Sequence, residues 1–129
     1  MPHFHIDYSP NLEDAVDMAA FCGAIRAEAA RIETFPVAGI RVRATRVDHV
    51  SMADGGAHHG FVDLSIRIRE GRSADVKHDA LSRIFEVMTA FFAPAMRTRS
   101  IALSAEMREI SAEFAPKLSN TRDHMEGSA

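Results

Sequence analysis

Two stretches of the chain pass from a period of two residues to a helical period and back, in the same order and about 60 residues apart. In the first, Phe4, Ile6 and Tyr8 share one face of a strand, while His3, His5 and Asp7 share the other. Ser9-Pro10-Asn11 is a turn, with Asn11 expected to cap a helix. Leu12, Val16, Ala19, Ala20, Gly23, Ala24 and Ala27 follow at helical spacing, and Pro36 ends that pattern. A second strand is predicted over residues 40–47.

The second stretch repeats the order. A glycine-rich connection, Met52-Ala53-Asp54-Gly55-Gly56, leads to a strand that alternates Val62, Leu64, Ile66 and Ile68 with Asp63, Ser65, Arg67 and Arg69. Glu70-Gly71-Arg72-Ser73 turns it into a helix whose stripe is Val76, Ala80, Ile84, Val87, Met88 and Phe91. Ser73 is its expected cap, and Pro94 is expected to stop it. Ile101, Leu103, Ala105 and Met107 mark a fourth strand.

Each β-α-β crossover joins strands that are expected to be parallel and right-handed. Two such units predict an α+β fold, a four-stranded sheet with two helices on one face. One domain over residues 1–129 is expected, with internal repeats at about 2–50 and 60–110 and a polar C-terminal arm at 111–129. The other sheet face needs a cover, so an oligomer is expected, with Phe114, Pro116 and Leu118 of the arm packing on a neighbour.

Composition excludes several classes. One cysteine cannot staple a secreted disulfide scaffold. No apolar run approaches the roughly 18–20 residues that cross a bilayer. A formal net charge of −3 gives no reason to expect nucleic acid. A strand begins almost at the first residue with no leader pattern before it, so a cytoplasmic protein is expected.

Proline at position 2 carries a chemical option. A small second residue permits removal of the initiator methionine, which would leave Pro2 with a free secondary amine. Desolvation and neighbouring cations lower the pKa of such an amine toward neutrality, where it serves as a general base or nucleophile. The plainer reading is a proline tolerated at the first position of a strand.

The seven histidines include His3 and His5 on one strand face and His58-His59 in a loop. None belongs to a set of closely spaced ligands of the kind that structural zinc needs, so hydrogen-bonded or solvated histidines are the expectation and no metal is expected. Charge distribution is more informative. Arg41, Arg43 and Arg46 oppose only Asp48, and Arg67, Arg69 and Arg72 oppose only Glu70, so each segment nets +2. Residues 13–33 net −3. Guanidinium groups suit bidentate capture of carboxylates, and Arg72 lies just before a helix N-terminus. A solvated strand face with compensating acids is the competing reading.

Pro2, the run Phe35-Pro36-Val37-Ala38-Gly39-Ile40-Arg41, Met52-Ala53-Asp54-Gly55 and Gly71-Arg72-Ser73 together resemble the 5-carboxymethyl-2-hydroxymuconate Δ-isomerase family of the tautomerase superfamily. The resemblance runs without obvious gaps from Pro2 to about Glu109. Glu70-Gly71-Arg72-Ser73 is also similar to the first turn of the short 4-oxalocrotonate tautomerases, so the chain looks like two such units fused.

The resemblance implies a homotrimer with Pro2 as catalytic base, Arg41 and Arg72 as substrate-binding residues and Arg43 as a further candidate. No cofactor is implied. The first repeat supplies Pro2 and Arg41 but has Asn11-Leu12 at its turn; the second supplies Arg72 but has Ala102 in place of a strand arginine. One complete site per chain follows. The implied reaction converts 5-carboxymethyl-2-hydroxymuconate to 5-oxopent-3-ene-1,2,5-tricarboxylate, a step of homoprotocatechuate degradation. Alternatives are another reaction of the superfamily (enol–keto tautomerisation, decarboxylation or dehalogenation) and a non-enzymatic ferredoxin-like ligand-binding module. In the last, Pro2 would lie away from Arg41 and Arg72.

Overall fold

The computed structural model describes residues 1–127, so Ser128 and Ala129 at the end of the arm lie outside the described residues. Four strands form one sheet: β1 (His3–Tyr8), β2 (Arg41–Arg46), β3 (His59–Arg69) and β4 (Ser100–Ile110). Their spatial order is β2-β1-β3-β4. β1 runs parallel to β2 and β3 parallel to β4, while the two central strands are antiparallel. Helices α1 (Met18–Ala30) and α2 (Ala74–Met96) supply the two crossovers, as the duplicated pattern requires.

The core lies between the helices and one sheet face. Phe4 and Ile6 of β1, and Val62, Leu64 and Ile66 of β3, are fully buried there against Phe21 and Ile25 of α1 and Ile84, Met88 and Phe92 of α2. Phe21 and Phe92 meet edge to face with ring centroids 4.8 Å apart, the contact that ties the two helices together. Strand alternation sends the intervening side chains to the helix-free face. One row of that face runs Arg41, His3, Arg67 and Arg108 across the four strands.

α1 begins later than the spacing predicts. Pro10–Leu12 form a single 3₁₀ turn, and the helix starts at Met18 with Asp17 as its cap, the carboxylate accepting from the Ala20 N–H at 3.1 Å. Asn11 is unavailable as a cap because its side chain is spent on long-range bonds: its Oδ1 accepts from Ser9 Oγ at 2.8 Å, and its Nδ2 donates to His59 O at 2.9 Å. The buried stripe is Met18, Phe21, Ile25 and Ala29, and Ala19, Ala20 and Ala27 face outward. Large apolar side chains gain more from leaving water than alanines do, so they set the helix's rotation.

α2 is capped by Ser73 as expected, its hydroxyl accepting from the Val76 N–H at 3.2 Å. Pro94 does not stop this helix, which continues to Met96. Only the last turn follows the proline, and the Pro94 carbonyl still accepts from the Arg97 N–H at 3.3 Å. Val76 lies outside the buried stripe and Phe92 inside it.

Candidate active site

The antiparallel pairing of β1 and β3 decides what surrounds Pro2. The first residues of β1 meet the last residues of β3, with His3 opposite Arg67 in β3 and opposite Arg41 in β2. Strands are about 4.8 Å apart, so guanidinium groups flank the start of β1 on both sides. The turn that follows β3 brings Arg72 to the same end. Gly71 in that turn adopts φ +111°, a backbone conformation that a side chain would strain.

Pro2 is buried, and its carbonyl accepts the Arg41 N–H at 3.1 Å. Before it, Met1 lines a cleft of about 330 Å³. The cleft is walled by His3, Arg41, Arg67 and Arg69 of the sheet and by Ala115–Leu118 of the arm. Gly39 leaves room for this arrangement: a Cβ there would stand 3.3 Å from Met1 Cα. The arm thus lies across its own chain's sheet end, with Phe114 and Leu118 exposed to solvent at 79% and 100%.

Of the four residues singled out from sequence, Arg41 lines the cleft, while Arg43, Arg72 and the buried Pro2 are not part of its lining. Arg41 directs Nη1 to the Met1 sulfur and to Gly39 O, the latter at 3.0 Å. Arg43, two residues along the same face, places Nη1 3.3 Å from His3 Nδ1. Arg72 points to the loop after α1: Nε donates to Thr34 Oγ1 at 2.7 Å, Nη2 to Thr34 O at 2.9 Å, and Nη1 to Arg69 O at 2.9 Å. A guanidinium carries five N–H groups, so each Arg72 Nη keeps one further donor.

Pairing separates these cations from the rest of the molecule. Arg46 binds Glu13 and Asp48, Arg83 binds Glu28, Arg99 binds Asp14, and Lys77 binds Glu109. Among the described residues no carboxylate pairs with Arg41, Arg67, Arg69 or Lys117. No Asp or Glu lines the cleft either. Unpaired cations around a concave, acid-free surface are suited to a carboxylate ligand.

The same charges act on the terminal amine. Burial, then Lys117, Arg72, Arg69 and Arg41, hold the Met1 amino group below the ordinary value for a chain terminus. His3 is likewise lowered, first by burial and then by Arg67, Arg43 and Arg41. An amine in this place favours its neutral, basic form.

Arg67 and Arg69 entered the sequence reading only as part of a positive segment, although their alternation with Ile66 and Ile68 already put them on the outward face. Lys117 carried no sequence signal, since an arm without periodicity gives no direction. Two further histidines are engaged elsewhere: His5 bonds Thr45 at 3.0 Å, and His59 bridges Asp54 at 2.8 Å and Ser100 at 2.6 Å. Among the described residues no cluster of three or more His, Cys, Asp or Glu could hold a metal ion. No helix there is long and apolar enough to cross a membrane.

Comparison with known proteins gives this site its setting. A family model for 5-carboxymethyl-2-hydroxymuconate isomerase matches residues 2–125. The chain is 34% identical to the 5-carboxymethyl-2-hydroxymuconate Delta-isomerase of Escherichia coli over 110 residues, 85% of this chain and 87% of that protein. A crystal structure of a 5-carboxymethyl-2-hydroxymuconate delta-isomerase matches with a TM-score of 0.89 at 29% identity, covering 96% of this chain and 92% of that one. A 5-carboxymethyl-2-hydroxymuconate isomerase structure from Deinococcus radiodurans R1 matches with a TM-score of 0.88 at 33% identity, covering 95% and 92%. The likeness of fold extends to a fused 4-OT symmetric trimer, with a TM-score of 0.66 at 14% identity over 90% and 93% of the two chains. The family's model spans all but the first residue and the last four, and the chain belongs to the 5-carboxymethyl-2-hydroxymuconate isomerase family.

Proposed function

We propose that this chain isomerises 5-carboxymethyl-2-hydroxymuconate to 5-oxopent-3-ene-1,2,5-tricarboxylate, with the amine of Pro2, freed by removal of Met1, as the base. The observation that carries this reading is an acid-free cleft beside buried Pro2, lined by Met1 and by Arg41, Arg67, Arg69 and Lys117. The Pro2 nitrogen takes the proton of the 2-hydroxyl group. The oxygen's electrons form the 2-oxo group, the conjugated double bonds shift along the chain, and a proton is delivered to carbon 5. The reaction is a proton transposition with no net redox change, and general acid–base catalysis of this kind contributes about 10²–10⁴-fold.

Arg41 polarises the 2-oxo end and binds its carboxylate, which stabilises the charge that builds on oxygen as the proton leaves. Arg72 adds its charge and the remaining N–H groups from the adjacent turn. Arg43 stands behind His3 as a further cation for the substrate's approach. The surrounding charges, which lower the Met1 amine, would favour the unprotonated form of a Pro2 amine at the same end.

A homotrimer is part of the same proposal. The helix-free sheet face has no cover of its own, Phe114 and Leu118 are exposed, and a fused 4-OT of the same fold is a symmetric trimer. A cytoplasmic location is the setting that a lone, half-buried free thiol suits.

The test joins intact mass to turnover. Purified protein should isomerise the muconate, and the active species should begin at Pro2. Turnover by a homogeneous population that retains Met1 would remove the amine from the mechanism.

A further inference from the structure

The cleft holds more positive charge than the reaction centre needs. Arg41 and the base account for one end of a substrate, yet Arg67, Arg69 and Lys117 also face the cavity with no acidic partner among the described residues. Lys117 comes from outside the duplicated fold altogether. Its segment is tied to the turn that carries Arg72: Glu70 N–H donates to Ile110 O at 3.2 Å, and Ala112 N–H donates to Glu70 Oε1 at 2.7 Å. Ser111 Oγ then accepts from the N–H groups of Glu113 and Phe114 at 3.2 and 3.1 Å, which bends the arm over the cleft. Pro116, with its fixed φ, restricts the backbone just before Lys117.

We propose that Lys117 binds one carboxylate of the substrate opposite Arg67 and Arg69, and that the arm thereby makes this cleft selective for tricarboxylates over dicarboxylates. The proposal rests on the isomerase reading for its substrate class, and on the cleft geometry for the residue. Four cations, Arg41, Arg67, Arg69 and Lys117, match three carboxylates with a small excess. A dicarboxylate leaves Lys117 without a partner and gains nothing from it. Lys117 lines the same cleft as Met1, the residue before Pro2.

Titration calorimetry with tricarballylate and glutarate, which cannot react, tests the residue apart from catalysis. Lys117→Ala should weaken tricarballylate binding by about tenfold or more and glutarate binding by less than about threefold, and Lys117→Arg should restore the first. Equal losses for both acids, no loss, or a wild-type protein that binds tricarballylate no better than glutarate would overturn the proposal. Turnover supplies the second arm. Lys117→Ala should raise KM for 5-carboxymethyl-2-hydroxymuconate at least about tenfold, with 2-hydroxymuconate changed by less than about threefold. A wild-type protein that isomerises neither compound would sink the isomerase reading, while the calorimetry still decides the role of Lys117.

Discussion

The Arg41 guanidinium donates a hydrogen bond to the thioether sulfur of Met1. The residue that blocks the Pro2 nitrogen therefore also occupies the guanidinium best placed for a substrate carboxylate. Under the proposed mechanism, removal of Met1 would free the Pro2 amine and the Arg41 guanidinium together. A protein that keeps Met1 should bind tricarballylate more weakly than one that begins at Pro2, by about tenfold for the loss of one charge-assisted contact. Calorimetry on the two forms, separated by mass, checks this; equal affinities would contradict it.

The pH profile follows from the charges around that terminus. Burial and then Lys117, Arg72, Arg69 and Arg41 lower the Met1 amine, and the Pro2 amine would inherit the same surroundings. A base with a lowered pKa is fully available above that pKa and is lost as pH falls through it. The acid limb of kcat/KM should lie below the ordinary terminal value of about 8. Added salt should move the limb upward, because it screens the cations. A limb at or above pH 8 that ignores salt would count against this electrostatic account.

Arg72 has two separable effects. Its bonds to Thr34 and Arg69 O fasten the β3–α2 turn to the loop before Pro36. Arg72→Ala should therefore cost about 1–2 kcal/mol in urea unfolding, in addition to lowering kcat/KM. Unchanged stability would show that those contacts are dispensable.

His3 should leave a mark on stability. Its imidazole is held below the usual histidine range by burial and by Arg67, Arg43 and Arg41. The unfolded chain then binds the proton more readily, so stability falls as pH drops through the unfolded value near 6.5 and is independent of His3 above it. His3→Asn should flatten the decline in denaturation midpoint between about pH 7 and 5. An identical decline in the variant would assign it to other groups.

How far the sequence alone reached is clearest residue by residue. The alternation at Phe4, Ile6 and Tyr8, and at Val62 through Ile68, was sufficient to place both central strands and the buried face, because strand burial follows a strict period of two. α1 was less legible. Asn11 has the chemistry of a cap, but its bonds to Ser9 and His59 are made across the sheet and leave no trace in local spacing. Arg41 was readable as a strand arginine near the start of β1, and the antiparallel β1–β3 pairing, which no local spacing encodes, sets Arg67 on the other side of His3. That Arg72 turns toward Thr34, and that Lys117 lines the cleft, depends on loop and arm paths that no periodicity encodes.

The central claim is that the Pro2 amine moves the proton. The most direct measurement is the turnover number of Pro2→Ala on 5-carboxymethyl-2-hydroxymuconate, beside the wild type at neutral pH. Turnover of Pro2→Ala should fall by about 10²–10⁴-fold, with the circular dichroism spectrum and denaturation midpoint little changed. A folded Pro2→Ala protein that turns over within about threefold of the wild type would contradict it.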